Sequence, residues 1–270
     1  MMPTLPVVLV FAGHDPTGGA GLIADSEVIR ALGGWALTVP TALTVQTTVN
    51  VQRVTPCPGE HIVAAVEELL ADFSISAIKI GLIASTEVLE AVAEICSRLP
   101  GVPVVIDPVL KAGGGYELSS ETLIAAFQRR LLPHATLLTP NLAELERLAP
   151  EQGGTTQRAN KLIHMGCSAV LATGTDIPGA ASEDDIIHTL FTPSDESIWR
   201  WPRLAGSYHG SGCTLASACA VELAKGTTLE EACTRAQHFT WESLVRAHRL
   251  GYGQALPERY HAGRDDAQDC

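Results

Sequence analysis

Short apolar runs alternate along this chain with longer segments of helical periodicity. The apolar runs are continuous rather than alternating with polar residues, which is typical of strands that are buried on both faces. Gly33 and Gly34 end the first helical segment as a normal C-terminal stop. The pattern predicts strands at 7–12, 36–40, 78–80, 104–106, 137–139 and 169–173, and helices at 21–32, 61–73, 85–98 and 120–131.

This alternation predicts an α/β fold with a mostly parallel central sheet and helices on both of its faces. In such folds, ligands bind at the carboxyl ends of the strands. We expect residues 1–270 to form a single domain, with a surface β-turn region at 192–200 and a peripheral tail after Gly251.

Composition narrows the class of protein. Hydrophobic residues make up 46% of the chain and charged residues 18%, as in ordinary globular enzymes. The net charge of -12 argues against nucleic acid as a partner. No apolar run approaches the ~20 residues that a membrane span needs. The seven cysteines include no C-x-x-C pair, and the start lacks a basic segment, so we expect a cytoplasmic protein with reduced thiols.

The first candidate site is the glycine-rich stretch at 12–21 (AGHDPTGGAG), which follows a predicted strand and opens a helix. Its glycines allow the backbone to approach a ligand closely, and Asp15 and Asp25 are placed to meet that ligand. The spacing matches neither the dinucleotide motif nor the P-loop. A tight turn with Asp15 as a helix cap explains the same residues.

Two further candidates follow predicted strands. Asp107 comes at the end of one strand, where an α/β sheet keeps its chemistry, although a turn-capping aspartate is the alternative. Gly113–Gly115 after it suggest a mobile flap.

Asn141 and Glu144 share one helical face, so Glu144 is a candidate Mg²⁺ ligand. A capping box formed by the same two residues is the better explanation from spacing alone.

The fourth candidate is the stretch at 206–218 (GSYHGSGCTLASA), a glycine-rich turn that leads into a helix of small residues. The backbone N–H groups at a helix N-terminus, together with the helix dipole, suit a phosphoryl group. Cys213 lies at this N-terminus, so we expect a lowered thiol pKa. The alternative is a small buried thiol like Cys219.

These segments together resemble the ribokinase-like superfamily, and more closely the hydroxymethylpyrimidine/phosphomethylpyrimidine kinases of thiamin biosynthesis. The resemblance covers roughly residues 6–244. The motifs that carry it are AGHDPTGGAG at 12–21, TALTVQTT at 41–48, KIGL at 79–82, DPV at 107–109, TPNLAE at 139–144 and HGSGCTLAS at 209–217.

The resemblance implies a three-layer α/β/α sandwich, MgATP as phosphoryl donor, and roles for specific residues. Cys213 is implied beside the attacking hydroxyl, with the turn before it as the anion hole. The implied residues are Gly210, Ser211, Gly212 and Cys213 for catalysis; Gly13, Asp25, Gln46 and Val109 for the pyrimidine; Asn141, Thr173 and Gly174 for the nucleotide; and Asp107 and Glu144 for Mg²⁺.

The chain departs from the family pattern at three places. Many members carry Lys-Gly-Gly-His where this chain has Thr173-Gly-Thr-Asp176, and a lysine of the last helix is replaced near Gln237. The flap at 111–116 (KAGGGY) also differs from the common Ala-Lys-Ser-Gly. The way in which the nucleotide phosphates are neutralised is therefore open.

The implied reaction is ATP-dependent phosphorylation of 4-amino-5-hydroxymethyl-2-methylpyrimidine, and then of its monophosphate. A pyridoxal or pyridoxine kinase is the nearest alternative, and a non-catalytic pyrimidine-binding protein is another. Asp107, Glu144 and Cys213 together favour an enzyme, because a sensor needs none of them. The family also suggests a homodimer.

Overall fold

The computed structural model describes residues 5–111, 115, 118–150, 153–174 and 185–261. Within these ranges, nine strands form one sheet in the order β3-β2-β1-β4-β5-β6-β7-β8-β9. Neighbouring strands from β2 to β7 are parallel, and β3, β8 and β9 are antiparallel to their neighbours. The strands are β1 Val7–His14, β2 Trp35–Gln46, β3 Val51–Pro56, β4 Ala77–Ile80, β5 Val104–Ile106, β6 Leu137–Leu138, β7 Val170–Thr173, β8 Asp185–Phe191 and β9 Glu196–Pro202.

Helices cover both faces of the sheet. The described α-helices are α1 Gly21–Ala31, α2 Gly59–Asp72, α3 Thr86–Ser97, α4 Glu121–Ala126, α5 Leu142–Leu148, α6 Thr155–His164, α7 Ser211–Ala224 and α8 Leu229–Val245. A π-helical turn, Phe127–Leu131, and a 3-10 turn, Leu132–His134, follow α4.

Alternate residues of each central strand serve two separate cores. Leu9 and Phe11 of β1 pack with α2 and α3 on one face. Val8 and Val10 pack with α1, α7 and α8 on the other. The helix α7 is buried throughout its middle, from Thr214 to Glu222. Both faces of the sheet are therefore closed, which confirms the three-layer α/β/α sandwich.

The predicted inner strands are present, and the edges of the sheet differ from prediction. β3 was not predicted, because its side chains are largely exposed and lack an apolar run. The predicted β-turn region at 192–200 is half turn and half strand. Thr192 N–H donates to Asp195 O (3.0 Å) in the turn, and β9 then begins at Glu196.

The chain after Gly251 returns to the body of the protein. His248 bridges to Leu256, and Gln254 N–H donates to Thr48 O (2.9 Å). The Arg259 side chain is only 2% exposed, because it reaches the glycine-rich turn before α1. The expectation of a peripheral tail is therefore wrong for residues 253–260. No helix in the described ranges is long and apolar enough to cross a membrane.

Candidate active site

A cavity of about 720 Å³ opens along the carboxyl edge of the sheet. Its size lies within the usual range for small-ligand pockets. Parallel strands bring the residues at their carboxyl ends to one edge, so positions far apart in sequence line one space. The sequence-predicted residues in its lining are Gly13, Asp15, Gln46, Asp107, Val109, Asn141, Glu144, Thr173, Gly210, Ser211, Gly212 and Cys213.

The glycine-rich turn between β1 and α1 is organised around Asp15. Its carboxylate accepts hydrogen bonds from Thr17 N–H (2.8 Å), Thr17 Oγ1–H (2.9 Å) and Ala20 N–H (2.9 Å). Burial opposes ionisation, but hydrogen bonds from His209, Thr17 and Gln46 outweigh it and lower the pKa of Asp15 to about 2. Asp15 is therefore the ionised centre of the turn rather than a helix cap, since the residue before α1 is Ala20.

His209 joins this turn to the second glycine-rich segment. Its Nε2 lies 2.7 Å from Asp15 Oδ2, across 194 positions of sequence. The backbone at Gly210 then adopts φ +85°, and a Cβ there would lie 1.9 Å from Gly19 O. The two turns therefore touch, and position 210 requires glycine.

The N-terminus of α7 faces the cavity. Thr214 N–H donates to Gly210 O (2.9 Å), the first bond of the helix. The N–H groups of Ser211, Gly212 and Cys213 precede that bond, so they lack intrahelical acceptors. The geometry expected of an anion-binding turn is present at this place.

Beneath the cavity lies a buried ion pair. Lys79 Nζ is 2.8 Å from both carboxylate oxygens of Asp25, and both side chains are fully buried. Ser217 Oγ also donates to Asp25 (2.8 Å). Burial disfavours the ammonium, but Asp25, Cys213 and Asp107 more than compensate and raise the pKa of Lys79.

Asp25 does not line the cavity, which corrects its expected role in contacting the pyrimidine. The carboxylate is committed to Lys79 and Ser217 inside the protein. It therefore belongs to the support of the site. The sequence motif at 79–82 did not assign a role to Lys79, although a lone lysine in the apolar strand β4 is itself a signal of a buried charge.

Asp107 and Cys213 meet directly above this pair. The Cys213 thiol interacts with the Asp107 carboxylate and with the backbone N–H of Gly21. Burial raises the pKa of Asp107; Lys79 acts in the opposite direction and Asp25 reinforces the rise. A turn-capping role does not account for these contacts.

The expected lowering of the Cys213 pKa is wrong. Burial raises the pKa of the Cys213 thiol to about 12, and the Asp107 and Asp25 carboxylates add to the rise. Lys79 and Gly21 N–H oppose it without overcoming it. The thiol touches the cavity, but at neutral pH it keeps its proton, because desolvation and two carboxylates outweigh the helix N-terminus.

Asn141 and Glu144 form the capping box that their spacing predicted. Asn141 Oδ1 accepts from Glu144 N–H (2.8 Å), and Glu144 Oε2 accepts from Asn141 N–H (3.0 Å). Glu144 is nevertheless part of the cavity wall and 8% exposed. The capping role and a ligand role are compatible, because a carboxylate has further lone pairs.

Arg147 contacts the backbone just before and just after the segment that was predicted to be a flap. Its guanidinium donates to Leu110 O (3.4 Å) and to Ser119 O (3.2 Å). Positions 112–114 and 116 of the predicted flap lie outside the described residues, as do Thr175 and Asp176. Sequence reasoning missed Arg147, because nothing in the pattern of α5 marks it.

The end of the cavity farthest from Gln46 is formed by β7, β8, β9 and α8. Thr173 pairs with His188 across β7 and β8, and Gln237 contacts both His188 and Trp201. Gly174 packs against the β8 backbone, where a Cβ would lie 2.3 Å from Ile187 O, and is not in the lining. Sequence reasoning noted Gln237 only as a lost lysine and missed His188.

A glycine-rich turn, a helix N-terminus and two carboxylates converge at the carboxyl edge of a parallel sheet, as in α/β enzymes that transfer phosphoryl groups. The sequence profile of the phosphomethylpyrimidine kinase family matches residues 15–257. The chain belongs to this kinase family.

Comparison with individual relatives supports the same family. The chain is 34% identical over 259 residues to the hydroxymethylpyrimidine/phosphomethylpyrimidine kinase of Escherichia coli, covering 94% of this chain and 96% of that one. It is 36% identical over 258 residues to a chloroplastic thiamine biosynthetic bifunctional enzyme of Arabidopsis thaliana, covering 93% of this chain but only 49% of the relative. The chain thus spans about half the length of the plant enzyme.

A solved structure shows the same fold. The ADP complex of Bacillus subtilis pyridoxal kinase superposes with a TM-score of 0.86 at 25% identity, covering 95% of this chain and 98% of that one. The ribokinase-like architecture is thereby confirmed.

Proposed function

We propose that this chain transfers the γ-phosphoryl group of ATP to the hydroxymethyl group of 4-amino-5-hydroxymethyl-2-methylpyrimidine, and then phosphorylates the monophosphate. The observation that carries this proposal is the meeting of Cys213, Asp107 and the α7 N-terminus on the cavity floor. These groups lie between Gln46 on β2 and Thr173 on β7, so two ligands can meet over them.

Gln46 supports an aminopyrimidine as the acceptor. Its side chain lines the cavity and interacts with the ionised Asp15, a carboxylate that can only accept hydrogen bonds. A primary amide has two N–H donors and a carbonyl acceptor, so one donor can serve Asp15 while the carbonyl and the other donor serve a ligand. An exocyclic amino group beside a ring nitrogen matches that donor and acceptor pair.

The α7 N-terminus supports phosphoryl transfer. The substrate oxygen forms a bond to the γ-phosphorus as the bond to ADP breaks, and the hydroxyl proton passes to the Asp107 carboxylate beside the Cys213 thiol. The N–H groups of Ser211, Gly212 and Cys213 stabilise the charge on the transferring group. Cys213 acts as a hydrogen-bonding partner of the hydroxyl rather than as a thiolate, since catalysis of this type is mostly positioning.

The two carboxylates of the cavity wall suit a Mg²⁺ ion held on phosphates. Asp107 and Glu144 are 6% and 8% exposed, and both line the cavity. The described residues contain no group of three or more candidate ligands, so an all-protein cage does not form there. Magnesium needs only one or two carboxylates when phosphates complete its shell, and it neutralises their charge during transfer.

Pyridoxal phosphorylation is the second candidate, and the likeness to the Bacillus subtilis pyridoxal kinase favours it. Offering ATP with the pyrimidine, its monophosphate or pyridoxine separately, and resolving the products by chromatography, distinguishes the candidates. We expect conversion of both pyrimidines. Faster consumption of pyridoxine would make this a vitamin B6 kinase, and no consumption of ATP with any compound would leave a binding protein. A homodimer remains a prediction that light scattering tests.

A further inference from the structure

One histidine of the cavity wall has a nitrogen with no hydrogen-bond partner among the described residues. His188 lies on β8, and its Nε2 is buried with no hydrogen bond within the described part of the chain. Buried polar atoms in folded proteins are nearly always satisfied. Because His188 lines the cavity, the missing partner has room to come from a ligand.

Hydrogen bonds on the other side of the ring fix its tautomer. Gln237 Nε2–H donates to Cys233 O (3.0 Å), which sets the orientation of the amide. Gln237 Oε1 therefore accepts, from Trp201 Nε1–H (3.0 Å) and from His188 Nδ1 (2.9 Å). The His188 proton is on Nδ1, and Nε2 is an acceptor.

His188 also stays neutral. Burial disfavours the imidazolium and lowers the pKa of His188 to about 4, with the Gln237 hydrogen bond acting in the opposite direction. At neutral pH, Nε2 therefore carries an unshared lone pair within a residue of the cavity wall. A phosphate oxygen, itself an acceptor, is a poor neighbour for it, whereas an N–H or O–H group is a good one.

The position of His188 identifies which ligand lies there. Six strand spacings separate β2, which carries Gln46, from β8, so the two residues are about 25–30 Å apart along the sheet. A single pyrimidine ring cannot reach both. The nearby lining residues Thr173, Gln237, Trp201 and Trp241 are uncharged, so this end suits the adenosine part of ATP rather than its phosphates.

We propose that His188 Nε2 accepts a hydrogen bond from the adenosine of the phosphoryl donor, making His188 a determinant of nucleotide specificity. The donor is either the exocyclic amine of adenine or a ribose hydroxyl. This inference rests on the proposed kinase function. Gln237 is then a positioning residue, which holds the ring of His188 in the accepting tautomer.

Nucleotide binding can be followed without turnover by tryptophan fluorescence, because Trp201 and Trp241 lie beside the proposed contact. We expect His188→Phe to weaken ATP binding about tenfold, as for loss of one hydrogen bond to a buried group. The affinity of the His188→Phe variant for the pyrimidine, measured by calorimetry, should not change. His188→Gln, which keeps an acceptor, should recover part of the ATP affinity. His164→Phe, at an exposed histidine of α6, is the matched control and should bind ATP normally.

Three analogues identify the donor group: ITP lacks the exocyclic amine, and 2′-deoxyATP and 3′-deoxyATP each lack one hydroxyl. One of them should bind wild type about tenfold more weakly than ATP, and this penalty should disappear in His188→Phe. Unchanged ATP binding in His188→Phe, or penalties that persist in that variant, would overturn the inference. A loss of pyrimidine affinity instead would assign His188 to the other ligand. If His188→Phe does not fold, the same comparison of ATP with the analogues is made in His188→Leu, which also removes the acceptor.

Different results would overturn the proposed kinase function and the inference about His188. If wild type neither binds ATP nor phosphorylates any offered compound, the function itself is wrong. If wild type phosphorylates the pyrimidine and His188→Phe binds ATP like wild type, only the inference about His188 is wrong.

Discussion

Lys79 Nζ lies 2.8 Å from both carboxylate oxygens of Asp25, and neither side chain is exposed to solvent. The pair joins the middle of the sheet to α1 directly under Cys213 and Asp107. Removing one member leaves an uncompensated buried charge, whereas replacing both by apolar residues does not.

We therefore expect Lys79→Met to lower the free energy of unfolding by about 3–5 kcal/mol. The double variant Lys79→Met/Asp25→Leu should be more stable than Lys79→Met alone. Like Lys79→Met, the double variant should lack turnover, because Asp107 has lost its cationic neighbour Lys79. Urea unfolding with comparison of m-values measures the first effect. A double variant less stable than either single variant would contradict the role given to the pair.

Cys213 should resist alkylation at neutral pH. With a pKa of about 12 instead of the usual 9.0, its thiolate fraction is about a thousandfold below that of a free cysteine. Labelling by iodoacetamide, followed by mass spectrometry of the Cys213 peptide, measures the rate. Rapid inactivation that substrate prevents would show a thiolate instead.

Substitution separates the thiol's hydrogen bond from its packing. Cys213→Ser keeps a donor to Asp107, and Cys213→Ala does not. We expect Cys213→Ala to lose about 10²–10⁴ in turnover while pyrimidine binding persists, and Cys213→Ser to retain more activity. Equal and near-normal turnover in both variants would make Cys213 a packing residue.

Asp15 should make stability depend on acidity. Its folded pKa of about 2 lies below the usual 3.8, so its contribution is fully present above the usual value and is lost as the pH falls towards 2. Asp15→Asn should lower the unfolding free energy by about 2 kcal/mol near pH 6, and by about half of that near pH 3. Denaturation of both proteins at each pH measures this difference. Glu68→Gln, at an exposed position of α2, is the control and should show no such pH trend.

Substitutions at Glu144 and Asn141 separate the role of the Glu144 charge in turnover from the capping of α5. Glu144→Gln keeps a side chain that can complete the capping box but removes the charge, so turnover should fall sharply with little change in stability. Asn141→Ala removes the cap and should lower the unfolding free energy by about 1 kcal/mol. Thermal unfolding and kinetics with varied Mg²⁺ provide the two readouts. Unfolding of Glu144→Gln with normal activity per folded molecule would reduce Glu144 to a cap.

The layered fold was predictable because β1, β4, β5 and β7 are continuous apolar runs bounded by helices. The strands β3, β8 and β9 were not predicted. β3 and β9 are largely exposed, and β8 mixes polar with apolar residues, so none of them is a continuous apolar run. Among the residues that line the cavity, the sequence located Asp107 directly after a strand, and Glu144 and Cys213 in the first turn of a helix.

Properties that depend on long-range packing were beyond the sequence. The pKa of Cys213 depends first on burial and then on the charges of Lys79, Asp107 and Asp25, which come from different elements. The His209–Asp15 contact joins positions 194 apart. Neither relationship has a local signal.

The ratio of kcat/KM for the hydroxymethylpyrimidine to kcat/KM for pyridoxine, in wild type and in Gln46→Leu, tests the central claim most directly. A site that leaves a buried polar group unsatisfied penalises the wrong ligand by about 1–3 kcal/mol, or roughly 5- to 150-fold. We predict a wild-type ratio well above one, and a ratio near one in Gln46→Leu. A wild-type ratio below one, or a ratio that Gln46→Leu leaves unchanged, would contradict an aminopyrimidine site built around Gln46.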